Sequence, residues 1–388
     1  MNYLNQSLEK SGRKDLYTSE EISHQPLIWY ETYLKLMAQR SGLTEFINKV
    51  FSIDQLHIVL TGAGSSAYIG QVLEGVFQKN CNIPTRAIAT TDIVSHPQLY
   101  FQKSIPLLMI SFARSGDSPE SLAAVELADE ICDEVYHLVI TCSRDGKLAF
   151  FKQQEGKSLV FVLPDLANDK SLAMTSSFTS MLLAGVLITR IQEMTGLKPQ
   201  VELLMQYGRN ILGNYSEELQ KVSTMKFDRM VFLGAGSLLG VARESQLKVQ
   251  EFTNGTVLCK HDSFLGFRHG PMAVMTPGTL IVYLFSNNSY ASKYELDLVR
   301  QIKENDQFKF SIGVAEFNQK SYDVDLDISF SSKNVKELDE DFMPIVSVLP
   351  AQIIGYYKSI ELTLNPDLPS DNGVISRVVE GVKIYKEN

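Results

Sequence analysis

Two stretches of this chain repeat one pattern. His57-Ile-Val-Leu-Thr-Gly-Ala-Gly-Ser and Met230-Val-Phe-Leu-Gly-Ala-Gly-Ser each run from an apolar segment into the same four residues, and a helical pattern follows each. Around the first copy, short apolar runs at 57–60, 86–89, 106–110, 137–140 and 159–163 alternate with helical segments such as Ser118–Cys132. Runs at 279–285, 308–314 and 324–328 complete a second set. Apolar runs with little internal alternation suit strands buried on both faces, and strand–helix alternation implies a parallel sheet with helices on both sides. Two copies of one α/β unit are the economical reading. The expectation is α/β, with two tandem doubly wound, flavodoxin-like parallel-sheet domains. Trp29, Tyr33, Leu36 and Met37 recur at helical spacing and predict a helical lead-in over 1–49. Gly196 and Pro199 punctuate the next boundary, giving domains at 50–200 and 201–365 and a tail at 366–388.

A chain of 388 residues can bury two substantial cores, and 21% charged residues is a globular proportion. The formal net charge of −9 argues against nucleic acid and anionic membrane surfaces, which demand a basic face. A small anionic substrate stays open, because a local site can oppose the global charge. Cys81, Cys132, Cys142 and Cys259 form no C-x-x-C pair and read as reduced, mostly buried thiols. Cys259-x-His261 lacks partners for a metal, and no cofactor is implied. The first residues lack an apolar signal core, and the apolar stretch around 181–188 is too short to span a bilayer. The stretch 343–364, with Pro350, Lys358 and Glu361, reads as one buried helix. The expected location is cytoplasmic.

Glycines at a strand-to-helix turn let the backbone approach a ligand, and the helix beyond offers N–H groups and a positive dipole end. Each Gly-Ala-Gly-Ser turn is a candidate phosphate cradle, with Ser65 and Ser66 in the first. A tight turn without a ligand is the other reading, and Leu238 and Leu239 favour it in the second copy. Gly62-x-Gly64-x-x-Ala67 also fits a dinucleotide fingerprint. However, the next apolar run ends in Ala89-Thr90-Thr91 without the acidic residue that a ribose requires. After the third run, Arg114-Ser115-Gly116-Asp117-Ser118 opens a helix; hydroxyls, amides and an arginine there can surround an anion. Ser118-Pro119-Glu120-Ser121 is equally a helix cap with proline at its first position. Loops after the first and third strands of such a sheet share one edge, so Ser65, Ser66, Ser115 and Ser118 can converge.

The pairing of Gly-Ala-Gly-Ser-Ser with Ser-Phe-Ala-Arg-Ser-Gly-Asp-Ser resembles a sugar isomerase (SIS) domain, whose second motif is close to S-x-S-G-x-[ST]. The second half adds Glu244-Ser-Gln-Leu-Lys248-Val-Gln-Glu251 and Arg268-His269-Gly270-Pro271, which look like the K-x-x-E helix and K-H-G-P loop of the isomerase half of glucosamine-6-phosphate synthase. Alone, Lys248 and Glu251 are an ordinary helix-face ion pair. The resemblance makes Glu251 the base that moves a proton between C1 and C2, with Lys248 assisting. His269 would help open the sugar ring, reaching into a neighbouring subunit's site. It also places Ser66, Ser115 and Ser118 on the phosphate and Thr175 on the sugar. The synthase's glutamine-hydrolysing domain has no counterpart here. Where the synthase ends with a Schiff-base lysine, the nearest match is Arg377, which would hold substrate oxygens or close the tail over the site. The whole-chain resemblance is to AgaS-type tagatose-6-phosphate ketose/aldose isomerases, through Asn168-Asp-Lys-Ser-Leu-Ala-Met-Thr-Ser-Ser-Phe, Phe267-Arg-His-Gly-Pro-Met and Arg377-Val-Val-Glu-Gly-Val. It implies deamination and isomerisation of galactosamine 6-phosphate, by a homodimer or homotetramer. A plain ketose isomerase and a non-catalytic sugar-phosphate-binding regulator remain the alternatives.

Overall fold

A computed structural model describes residues 3–4, 17–151, 156–305, 307–317, 322–333, 335–370, 373–379 and 381–385. They form two compact units. One comprises Ile28–Asp169, Ser176–Lys198 and Gly373–Asn388; the other comprises Met1–Leu27, Lys170–Thr175 and Pro199–Asn372.

The first unit is built on β1 (His57–Thr61), β2 (Thr85–Ala87), β3 (Leu107–Ala113), β4 (Val135–Thr141) and β5 (Ser158–Val162), all parallel, in the order β2-β1-β3-β4-β5. This is the flavodoxin-like order anticipated from the sequence. Its helices are the later part of α1 (Tyr17–Ala38), then α2 (Arg40–Phe51), α3 (Ser65–Cys81), α4 (Thr90–Ser95), α5 (Pro119–Ile131), α6 (Lys147–Phe150) and α7 (Ser176–Thr189). The strands are doubly buried because successive side chains face opposite helix layers. Val59 joins Met109, Ala124, Val125 and Val139 in the core beneath α5, whereas Leu60 meets Gly70 of α3 on the other face. Every residue of α7 is buried, so its all-round apolar character reflects a central packing position. Trp29 of α1 donates its indole N–H to Thr179 of α7 at 2.9 Å, which satisfies a polar atom that would otherwise be costly inside.

The second unit repeats the plan with β6 (Arg229–Leu233), β7 (Leu258–Asp262), β8 (Thr279–Leu284), β9 (Phe310–Phe317) and β10 (Leu326–Ser331), parallel in the order β10-β9-β8-β6-β7. Around it lie α8 (Lys198–Asn214), α9 (Ser216–Ser223), α10 (Ser237–Phe252), α11 (Phe264–Phe267), α12 (Ala291–Asn305), α13 (Met343–Ser347) and α14 (Leu349–Glu361). The order is the same once β6 is matched to β1. Edge strand β7 contains the Cys259 and His261 weighed above only as ligands; its half-exposed residues lack the unbroken apolar run that marks a central strand.

The helix expected over 343–364 is two helices, broken at Val348. Pro350 has no N–H to continue the ladder and disfavours helical geometry before it. The lead-in is also two helices, and its residues 5–16 lie outside those described. No helix among the described residues is long and apolar enough to cross a membrane.

Candidate active site

The two Gly-Ala-Gly-Ser turns have nearly one geometry. Gly64 has φ 58° and ψ −128°, and Gly236 has φ 56° and ψ −130°, a region open to glycine at little cost. A Cβ on Gly62 would sit 2.6 Å from Ser66 Cβ and within 2.8 Å of its backbone; one on Gly234 would sit 2.3 Å from the Leu238 carbonyl. Glycine is therefore needed for the chain to fold tightly back on its helix, whether or not a ligand binds.

In the first unit, β1 and β3 are neighbours in register, Thr61 opposite Ser111, so their following loops emerge at one carboxyl edge. Ser65 and Ser66, both buried, begin α3, and Gly64 provides no side-chain cap. Across from them, Arg114 is buried, Ser115 half-buried, and Gly116 has φ 74°. The loop is fixed from beyond β4: Leu148 N donates to Gly116 O at 2.9 Å and Lys147 N to Asp117 Oδ1 at 3.1 Å. Ser118 is the α5 N-cap, accepting from Ser121 N at 3.2 Å and donating to Ser121 Oγ at 2.6 Å. Its hydroxyl is thus engaged locally, as the capping reading anticipated.

Arg377 joins this group. Arg114 Nη2 donates to the Arg377 carbonyl at 2.6 Å, while the Arg377 guanidinium donates to the Asp169 carbonyl (2.9 Å from Nε) and to Asn168 Oδ1 (2.8 Å from Nη2). Asp169, fully buried, accepts from Ser176 N and Ser177 N at the start of α7. Cys142 lies among these groups, and burial pushes its thiol up, so it stays protonated. Thr175 belongs to the other unit, where its short segment is buried and anchored by Glu21, which accepts from Lys170 N and Ser171 N.

The second unit holds the other candidates. Lys248 on α10 is fully buried, with Nζ 2.6 Å from Glu251 Oε2 and 3.3 Å from Glu244 Oε1. Glu244 is fully buried, whereas the Glu251 side chain keeps 20% exposure. The spacings i, i+4 and i, i+7 put all three on one helix face. One ammonium thus lies between two carboxylates, one sealed and one open to an incoming molecule. Among the described residues no group of three or more His, Cys, Asp and Glu could hold a metal.

No protein-family profile matches the chain. D-galactosamine-6-phosphate deaminase AgaS of Shewanella sp. (strain ANA-3) is 38% identical over 375 residues, 95% of this chain and 92% of that protein. This chain belongs to the AgaS galactosamine-6-phosphate deaminase family. Among solved structures, a Clostridium novyi protein named as a tagatose-6-phosphate ketose/aldose isomerase superposes with a TM-score of 0.94 at 39% identity, covering 99% of this chain and 97% of that one. The Escherichia coli tagatose-6-phosphate ketose/aldose isomerase does so with 0.87 at 32% identity, covering 97% of each.

In this AgaS-family chain His269 stands apart from Glu251. It follows β7 and α11 in a loop turned by Gly270 at φ 112°, and it is exposed, with its ring in no hydrogen bond or ion pair among the described residues. That loop leaves the carboxyl edge of the second sheet. Helix α10 starts from the same edge and runs away from it, carrying Glu251 roughly 20 Å along its axis at 1.5 Å per residue. Helix α11 packs with α12 against Val231 and Ile281, whereas α10 packs with α14, so within the unit the two residues belong to different helix layers. His261 of β7 shares its Nδ1 with Gln246 Oε1, and burial, Arg243 and Lys260 lower its proton affinity. Two participants escaped the sequence reading. Glu244 was detectable as a carboxylate four residues before Lys248. The Asn168–Asp169 corner that grips Arg377, 208 residues away for Asp169, had no local signal.

Proposed function

We propose that the chain converts galactosamine 6-phosphate into tagatose 6-phosphate and ammonia. The observation that carries this reading is the partly open Glu251 carboxylate held 2.6 Å from a fully buried lysine, in a chain with 38% identity to a galactosamine-6-phosphate deaminase. A proton at C2 of the open-chain amino sugar is acidified by the neighbouring aldehyde, and a positioned carboxylate can take it. Glu251 removes that proton to give an enaminol. Returning a proton to C1 leaves a C2 imine, and water adds there, giving the C2 carbonyl and expelling ammonia. Lys248 faces the reacting carboxylate and steadies charge as it shifts. Glu244 holds Lys248 in place.

The phosphate falls to segment 50–200. The α3 N-terminus with Ser65 and Ser66, the Ser115 hydroxyl and the α5 N-terminus capped by Ser118 would surround it, with Arg114 adding charge. Catalysis falls to segment 201–365, and Thr175 faces the sugar. Arg377, already bound to carbonyl oxygens, closes the tail beside the phosphate loop and cannot form an imine with the ketose. His269 serves ring opening in a second subunit. Its exposure, in a helix layer other than that of Glu251, supports donation across a homodimer or homotetramer interface, in a cytoplasmic enzyme.

The test is ammonia release by the purified chain from galactosamine 6-phosphate and glucosamine 6-phosphate, with the ketose identified. Release from the galacto compound with tagatose 6-phosphate formed is expected. No release from either, with tagatose 6-phosphate still converted to its aldose, would replace deamination by plain isomerisation.

A further inference from the structure

The two copies differ beneath the loop that follows the third strand. The fifth residue of the next helix is Ala123 in the first copy and Glu295 in the second. Glu295 is 1% exposed. Its Oε2 accepts from Ser286 N at 3.3 Å, where the loop leaves β8, and its Oε1 is buried with no hydrogen-bond partner. The titratable groups facing it from other elements are the Glu340 carboxyl and the Tyr322 phenol. The Glu340 carboxylate opposes a negative charge at Glu295, whereas burial keeps the phenol neutral.

The other fixings of this loop are complete. Asn287 donates to Glu316, which also accepts from Tyr207 Oη at 3.0 Å, Glu337 N at 2.8 Å and Leu338 N at 2.7 Å. Asn288 Oδ1 caps α12 by accepting from Tyr290 N and Ala291 N. Glu316 is saturated by donors, whereas Glu295 draws only on the amide and hydroxyl of Ser286 and leaves Oε1 without a hydrogen bond. A carboxyl in that setting is tolerated neutral and penalised ionised.

We infer that Glu295 is a proton-operated latch on the Ser286–Tyr290 loop, closed when its carboxyl is neutral and opened when it ionises and must reach water. Burial raises its proton affinity, to about 7, with Glu340 adding repulsion. Opening returns the group toward an ordinary carboxyl, so between 4.5 and about 7 it releases a proton, and mass action makes the open fraction grow with pH across that window and level off above it. This inference is independent of the deaminase reading.

Amide hydrogen exchange of peptides across 285–295 in the full chain tests it, with rates corrected for the intrinsic pH dependence of exchange. In the wild type, protection should fall up to about ten-fold per pH unit between 4.5 and about 7 and level off above it, as one linked proton requires. Glu295→Gln, nearly isosteric, should make protection independent of pH. Glu340→Gln removes a like charge from the closed state, so the fall should level off at lower pH. A flat wild-type profile, an unchanged slope in Glu295→Gln, or a levelling point in Glu340→Gln that stays put or moves upward would each overturn the latch.

Discussion

Replacing Lys248 by methionine keeps the length of the side chain and removes its charge. Lys248 faces Glu251 at 2.6 Å and Glu244 at 3.3 Å, and both it and Glu244 are closed to water. Breaking a buried pair by deleting one partner costs about 3–5 kcal/mol, because the remaining charge has lost its counterion without regaining solvent. Most of that loss belongs to Glu244, since Glu251 can turn toward water. For a unit of this size each kcal/mol lowers the melting temperature by roughly 2–4 °C, so Lys248→Met should melt about 6–20 °C below the wild type in scanning calorimetry. Adding Glu244→Gln neutralises the stranded carboxylate and should recover at least about half of the loss, a coupling expected only for residues in contact. Melting within about 2 °C of the wild type, or a double variant weaker than the single one, would refute the buried-triad reasoning.

Glu251→Gln should abolish turnover while binding of galactosamine 6-phosphate persists in calorimetric titration; lost binding with normal turnover at saturation would contradict its role as base. Ser115→Ala should weaken binding of phosphosugars without changing the pH profile, and an unchanged affinity would put the phosphate elsewhere. Glu295 titrates at about 7 in the fold against an ordinary value of 4.5. The stability it carries is therefore fully present below 4.5 and is lost as pH rises through 7, by roughly 3 kcal/mol at most. Glu295→Gln should flatten that decline in melting temperature, and a decline as steep as the wild type's would assign it to another group. Burial pushes the Cys81 thiol up to about 12 and Cys132 to about 11, so maleimide should label both slowly at neutral pH until the chain is denatured.

Much of the architecture was legible because it depends on local patterns. The strands at 57–61, 107–113, 135–141 and 279–284 are dominated by apolar residues with little alternation, as a strand buried on both faces must be. The Gly-Ala-Gly-Ser turns announced themselves because Gly62 and Gly234 occupy space that no Cβ can share. The Ser118 cap was readable because its partner, Ser121, is three residues away. Lys248 and Glu251 were readable as one helix face for the same reason. Strand β7 was missed because an edge strand keeps half its surface in water and loses the apolar signature. The break at Val348 needed Pro350 to outweigh an apolar stretch that otherwise suited a single helix.

Sequence alone settled which residues could do chemistry; the tertiary fold settled which of them are sealed, which are open, and which share a neighbourhood. Glu244, Lys248 and Glu251 follow one spacing rule, yet only packing leaves Glu251 partly open and buries the other two. Arg377 met Asn168 and Asp169 through no local pattern, and Glu295 looked like any helical carboxylate until a loop closed over it. Spacing is written along the chain, but desolvation is a property of everything that packs around a group, and desolvation decides what a charge costs and what it can do.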